Sequence, residues 1–169
     1  MQESYQETYV TGLINARALE VQAGQLLSRQ IERLQNYPEV ETALRRHVDE
    51  TNMQRDRLDA LLEAQGTSHS SVKDLITGLM GNMAAIGHVP MQDEIMKNSL
   101  ANYAFEHFEI AAYRSLITLA ELAGDTHGKE VLQTSLAEEE RMANWCADNL
   151  DATTRKYAAL RAEGEKADR

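Results

Sequence analysis

The chain has 169 residues, and its 27 acidic and 17 basic side chains give a formal net charge of −10. This length allows one well-formed core and predicts a single domain over residues 1–169. The negative charge disfavours nonspecific binding to nucleic acid or to an anionic membrane. Only 2 prolines and 9 glycines interrupt abundant helix-forming residues, so the predicted fold class is all-α.

The predicted location is cytoplasmic. A single cysteine, Cys146, excludes an internal disulfide framework and fits a reducing compartment. The first residues, MQESYQETYV, lack the basic and apolar regions of a signal peptide. No apolar run approaches the roughly 20 residues that a membrane-spanning helix needs.

The first half of the chain predicts an antiparallel helical hairpin. Its helices cover about residues 4–35 and 38–65, with Pro38 in the first turn of the second helix, where its missing N–H costs nothing. Gly66 is predicted to end that helix in a left-handed conformation.

The second half predicts another hairpin, with helices at about 91–123 and 126–149 and Gly124 between them. A short helix at about 72–86 lies in the connection between the hairpins. Residues 151–169 are predicted to be a tail, in which Asp151 caps a short final helix and the last residues fray. Because roughly 25 residues join the hairpins, the expected architecture is a ferritin-like four-helix bundle with a long crossover.

Each predicted long helix carries a glutamate within an apolar stripe at helical spacing: Glu20, Glu50, Glu109 and Glu139. An ionised carboxylate in an apolar core is costly unless it is paired, protonated or bound to metal. The spacing from the first glutamate to the second equals that from the third to the fourth, which predicts two related hairpins around a pseudo-twofold axis. Glu138 and Glu140, which flank the last glutamate, are predicted to be exposed.

These carboxylates predict a site for two iron ions, with manganese as the alternative. Four carboxylates cancel the charge of two divalent ions, and neutral imidazole usually completes such a site. His47 lies one turn before Glu50, and Glu106 lies one turn before Glu109, so each pair faces one way. The predicted ligands are Glu20, His47, Glu50, Glu106, Glu109 and Glu139.

The pattern departs from the usual di-metal motif, in which Glu-x-x-His recurs on the second and fourth helices. Met53 and Met142 occupy the corresponding positions, and a thioether is a poor ligand for iron or manganese in an oxygen-rich site. His47 and Glu106 can compensate. The alternative is a bundle that has lost its metal and satisfies its glutamates with arginine, glutamine or shared protons.

Several segments together resemble the YciE/YciF family of ferritin-like bacterial stress proteins, particularly the YciE branch: LEVQAGQLL, NYPEV, RHVDETNMQ, FEHFEIAAY and LAEEERMANW. The resemblance runs from the first helix through Trp145. It implies a rubrerythrin-like bundle with a di-iron centre, commonly found as a homodimer, and it marks the same six ligand positions.

Two functions remain open at this point. The first is a di-iron carboxylate oxidoreductase of rubrerythrin or ferroxidase type, in which Fe(II) reacts with peroxide or oxygen. It needs an external electron donor, because one cysteine cannot form a rubredoxin-type site. The second is a metal-free helical stress protein that acts through dimerisation or partner binding.

Overall fold

A computed structural model describes residues 2–67 and 93–169. Its helices are α1 (Gln2–Arg33), α2 (Pro38–Ala64), α3 (Glu94–Ala123) and α4 (Thr126–Ala162). Helix α1 packs against α2 and α3, and α3 packs against α4, whereas α2 and α4 are the most loosely packed pair. The predicted all-α four-helix bundle is confirmed. The crossover helix predicted at 72–86 lies outside the described residues.

Most helix ends lie within three residues of their predicted positions. Helix α2 begins at Pro38, and Gly66 and Gly124 follow α2 and α3 with φ of 74° and 80°, the left-handed conformation that glycine adopts without strain. Asp125 caps α4, because its carboxylate accepts a hydrogen bond from the backbone N–H of Gly128 at 2.7 Å. A side chain on Gly128 would collide with the Tyr9 hydroxyl.

The prediction that the fourth helix ends near Asn149 is wrong. Helix α4 continues without a break to Ala162, over 37 residues. No glycine or proline interrupts residues 149–162. Asp151 does not cap a new helix; it forms an ion pair with Arg155, one turn later, at 2.7 Å.

The predicted fraying of the last residues is also wrong. The Tyr37 hydroxyl donates to the Ala167 carbonyl at 2.6 Å, and the Ile95 N–H donates to the Asp168 carbonyl at 2.9 Å. The Asn36 N–H donates to the Arg169 carbonyl at 3.1 Å. These bonds hold the tail against the α1–α2 corner and the start of α3.

The core consists of two apolar clusters, one on each side of a polar layer. The first contains Tyr9, Leu13, Ile14, Ala16, Leu58, Leu61, Leu62, Tyr113, Leu116, Ala120 and Leu132. The second contains Leu27, Ile31, Tyr37, Val40, Leu44, Ile95 and Met142. Each helix therefore buries apolar residues before and after its polar residues at the middle of the bundle. Within residues 2–67 and 93–169, no helix is long and apolar enough to cross a membrane.

Candidate metal centre

All four helices contribute a buried ionisable side chain to the polar layer. Glu20 on α1 is 2% exposed, and His47 on α2 is 1% exposed. Glu106 and Glu109 on α3 are 2% and 1% exposed, and Glu139 on α4 is fully buried. Five of the six predicted ligand residues therefore lie inside the bundle at the same level.

Four of these residues form a tight cluster. One ligand atom from each of His47, Glu106, Glu109 and Glu139 lies within 4.8 Å of the other three. His47 Nε2 is 3.1 Å from Glu106 Oε2 and 3.6 Å from Glu139 Oε2. Imidazole and carboxylate together are a donor set suited to iron or manganese.

The cluster contains unpartnered polar atoms in an unusual concentration. Both oxygens of Glu109 lack a hydrogen-bond partner, as does one oxygen each of Glu20, Glu106 and Glu139. A buried polar atom left in this state costs about 1–3 kcal/mol. Native proteins keep few such atoms, and a bound ion is one of the accepted explanations for them. The residues therefore fit a metal ion.

Glu20 lies beside this cluster and is held by a tyrosine. The Tyr113 hydroxyl donates to Glu20 Oε1 at 2.5 Å, while Glu20 Oε2 has no partner. Burial raises the pKa of Glu20 to about 7, although the Tyr113 hydrogen bond and the His47 charge oppose the shift. The Tyr113 ring also packs in the first apolar cluster.

Glu50 lies at the edge of the core and is less deeply buried than predicted, while its role as a metal ligand stays a prediction. Its side chain is 13% exposed and lies between His47, with Nδ1 at 3.2 Å from Oε2, and Arg141, with Nη2 at 3.3 Å from Oε1. The hydrogen bond with His47 lowers the pKa of Glu50. With Nδ1–H donating to Glu50, the lone pair of His47 Nε2 is left for a metal ion.

Gln54 is the residue of α2 that the sequence reasoning missed. Met53 is 47% exposed and Met142 packs in the second apolar cluster, so neither methionine contributes a ligand. Gln54 is fully buried, and its Nε2 donates to Glu138 Oε2 at 3.1 Å and to Glu139 Oε1. The signal was present, because Gln54 belongs to the same apolar stripe as His47.

Glu138 is buried, contrary to the prediction that it is exposed. Its side chain is 8% exposed and forms a two-pronged ion pair with Arg57, at 2.6 Å from Nη1 to Oε2 and 2.8 Å from Nη2 to Oε1. Arg57 also donates to Ser135 Oγ at 3.2 Å. This pair fixes α2 against α4 beside the cluster.

Comparison with known proteins identifies the family. The model of a family described as "Domain of unknown function (DUF892)" matches residues 4–159. The chain belongs to this family. It is also 30% identical over 104 residues to Protein YciF of Escherichia coli K12, a match that covers 58% of this chain and 61% of that protein. The predicted resemblance to the YciE/YciF family is confirmed, while the assignment to the YciE branch stays a prediction.

Several solved structures share the fold of this chain. A protein from Xanthomonas campestris pv. campestris matches with a TM-score of 0.79 at 27% identity, over 94% of this chain and 99% of its own. The E. coli stress protein YciF matches with a TM-score of 0.72 at 22% identity, over 90% and 98%. A Desulfovibrio desulfuricans bacterioferritin with a diiron site matches with a TM-score of 0.73 at 13% identity, over 98% and 91%. The last two likenesses establish the fold alone.

In this member of DUF892, the crowding of acids at the centre favours their protonated forms. Burial, followed by the charges of Glu20 and Glu139, raises the pKa of Glu109. Burial also raises the pKa of Glu139 to about 9, against the opposing charge of His47. Burial alone would lower the pKa of His47, but Glu106 and Glu50 raise it to about 10. A metal ion binding here would displace these protons.

Proposed function

We propose that this protein is a ferritin-like di-metal carboxylate protein of the bacterial stress response, which binds two iron ions, or manganese, and reacts with peroxide or oxygen. The observation that carries the proposal is the convergence of unpartnered buried atoms from Glu109, His47 and Glu139. The names of two structurally similar proteins also support it: one is a bacterioferritin with a diiron site, and the other is a stress protein.

The chain's own residues would prepare and isolate this centre. The carboxylates cancel the charge of two divalent ions, and the Nδ1–H of His47 donates to Glu50, so that Nε2 can coordinate. The two apolar clusters exclude water above and below the layer. Two bound Fe(II) ions would supply the two electrons that convert peroxide to water. An external electron donor must then restore them, because the chain has a single cysteine.

The direct test is to load the protein with Fe(II) under anaerobic conditions and to measure its iron content and its consumption of peroxide. Anomalous scattering at the iron edge from a crystal should give two peaks about 3.5–4 Å apart. The double variant Glu20→Ala/Glu109→Ala should lose both iron and peroxide consumption. The matched control is Glu121→Ala, at an exposed position of the same helix α3. A wild-type protein without iron, or a fully active double variant, would refute the proposal.

The alternative, a metal-free stress protein that acts through dimerisation or a partner, has its own supporting observations. Leu100 and Phe108 on α3 are each 54% exposed. Arg57 and Gln54 also satisfy Glu138 and one oxygen of Glu139 without a metal. This alternative predicts the same thermal midpoint for chelated and iron-treated protein. It also predicts a homodimer in sedimentation that Phe108→Glu dissociates. A higher midpoint with iron would favour the metal-binding function instead.

A further inference from the structure

A cavity of about 380 Å³ lies between α1 and α3, beside the candidate metal centre. Two contacts join these helices near it. Gln30 and Asn102 exchange amide hydrogen bonds at 2.9 and 2.8 Å, and Tyr113 donates to Glu20 at 2.5 Å. The α1 residues that line the cavity lie from 23 to 30, in the stretch of about 15 Å between Glu20 and Gln30. A cavity of this size is large enough for a small organic molecule.

Small side chains on both helices leave this space open. Ala23 on α1 and Ala101 and Ala104 on α3 line the cavity, while Leu27 and Phe105 contribute larger apolar walls. The lining residues that the structure describes include no lysine or arginine, so they offer no partner for an anionic ligand. Because burial of apolar surface is favourable, the lining suits an uncharged hydrocarbon group.

Glu106 links the cavity to the candidate metal centre. It is the one ionisable side chain among the described lining residues. Its side chain is 2% exposed, and its Oε2 lies 3.1 Å from His47 Nε2. Glu106 therefore borders both the cavity and the cluster. Phe108, which also lines the cavity, is 54% exposed, so another part of the lining reaches the surface.

We infer that this cavity binds the alkyl chain of an organic hydroperoxide, with the hydroperoxide group against Glu106. The inference rests on the proposed function and names the class of peroxide that the protein consumes. Hydrogen peroxide has no apolar surface to bury, whereas each methylene group of an alkyl chain strengthens binding when it leaves water. An organic hydroperoxide is also uncharged, as a lining without basic side chains requires.

The reaction balances with the electrons of the proposed function. The O–O bond of ROOH breaks, and ROOH takes up two protons from solution and two electrons from two Fe(II) ions, which are oxidised to Fe(III). The products are ROH and water. The alcohol has the same alkyl chain as the hydroperoxide but cannot react further in this way. Alcohols therefore measure binding in the cavity without any metal.

The first experiment is a calorimetric titration of the metal-free full chain with butanol, hexanol and octanol. Binding should tighten about tenfold for each two added methylene groups, as expected when a hydrocarbon chain is buried. Ala101→Phe places a ring in the cavity and should weaken octanol binding at least about tenfold. Ala111→Phe, at an exposed position of the same helix outside the cavity, is the matched control and should bind octanol as the wild type does. Ala104→Phe, at a more exposed lining position than Ala101, replaces the first variant if that variant does not fold.

The second experiment compares two peroxides as substrates of the protein loaded with Fe(II) under anaerobic conditions. The kcat/KM for octyl hydroperoxide should exceed that for hydrogen peroxide at least about tenfold. Ala101→Phe should lower this ratio, and Ala111→Phe should keep it. A variant that lowers the ratio but binds octanol normally would contradict the inference.

The outcomes separate this inference from the function on which it rests. Consumption of hydrogen peroxide without octanol binding, or without a preference for octyl hydroperoxide, would overturn the inference and leave the proposed function. Octanol binding by an iron-loaded protein that consumes neither peroxide would refute the proposed function and the substrate class together. A homodimer that binds no octanol and that Ala101→Phe dissociates would assign the cavity to a contact between two copies of this chain, which also overturns the inference.

Discussion

Within the polar layer, the side between helices α2 and α4 and the side between helices α1 and α3 compensate their carboxylates differently. On the α2–α4 side, Arg57 pairs with Glu138, and Gln54 donates to both Glu138 and Glu139. On the α1–α3 side, Glu20 has a tyrosine partner and Glu109 has none. Across residues 2–67 and 93–169, no lysine or arginine forms an ion pair with Glu20, Glu106 or Glu109. One side can be stable without metal, while the other requires protons or a cation.

Helix packing accounts for the α2–α4 side of this difference. Helices α2 and α4 are loosely packed, which leaves room for long side chains such as Arg57 to reach across between them. On the α1–α3 side, the described residues place no arginine or lysine beside Glu20 or Glu109, so these acids are left to protons or to a small ion.

The variant Glu109→Gln is the most severe test of the difference between the α1–α3 and α2–α4 sides. This variant removes a charge from the side without basic partners, so we expect ion binding to weaken at least about a hundredfold, or by about 2.7 kcal/mol. The metal-free protein should not lose stability, because an uncharged amide replaces a carboxyl group whose pKa burial already raises. Equilibrium dialysis and chelated thermal unfolding measure the two quantities. Glu121→Gln on the same helix is the control, and a destabilised variant with normal metal binding would contradict the prediction.

A second test is the pH dependence of the metal-free protein. The pKa of Glu139 is raised from 4.5 to about 9, that of Glu20 from 4.5 to about 7, and that of His47 from 6.5 to about 10. A group whose pKa is higher when folded binds more protons in the folded state. Its contribution to stability is therefore complete below its unfolded pKa and is lost as pH rises through its folded pKa.

Unfolding by urea in the presence of chelator should therefore show stability falling from about pH 5 to about pH 9. Glu139→Gln should flatten this slope. Saturating Mn(II) should oppose the fall, because ions bind the deprotonated carboxylates increasingly well as pH rises. A stability of the chelated protein that is constant or increases over this range would show that the acids are not held protonated by the fold.

The α2–α4 side should respond to mutation through stability. Arg57→Ala leaves Glu138 buried without its ion-pair partner, and we expect a loss of about 1–3 kcal/mol from the free energy of unfolding. The estimate is at the low end for a buried pair because Arg57 is 25% exposed. Arg155→Ala, in the exposed pair with Asp151, should lose no more than about 0.5 kcal/mol. The double variant Arg57→Ala/Glu138→Ala should recover part of the loss. Equal losses for Arg57→Ala and Arg155→Ala would mean that the buried pair does not stabilise the α2–α4 side more than an exposed pair.

The sequence predicts the helix ends well wherever a proline or glycine marks them. Pro38, Gly66 and Gly124 each have one strongly preferred role at a helix end, and the structure uses them there. Asp151 has two common roles, as an N-cap or as the first partner of an i, i+4 ion pair. Composition alone does not choose between them, and the length of α4 was therefore missed.

The buried acids of the centre are predicted for a similar reason. A carboxylate within an apolar stripe is rare, so Glu20, Glu109 and Glu139 are conspicuous in the sequence. The partners Arg57 and Glu138 are not, because a pair across two helices depends on their relative rotation, which the periodicity of a single helix does not specify. Glu50 and Gln54 are separated by one helical turn and share the stripe of His47, and only the packed bundle determines that Gln54 is the more deeply buried of the two.

The smallest expected effect concerns the rim of the α2–α4 side. Arg141 is 57% exposed and approaches Glu50 at 3.3 Å, so water already solvates much of this pair. Arg141→Ala should therefore lower the free energy of unfolding by no more than about 0.5 kcal/mol, well below the loss for Arg57→Ala. Glu50 keeps its contact with His47 in this variant, so the metal-binding constant should stay within about threefold of the wild type. Urea unfolding and calorimetry measure the two values. A loss as large as that of Arg57→Ala would mean that the compensating charge on this side is spread over the rim as well as the interior.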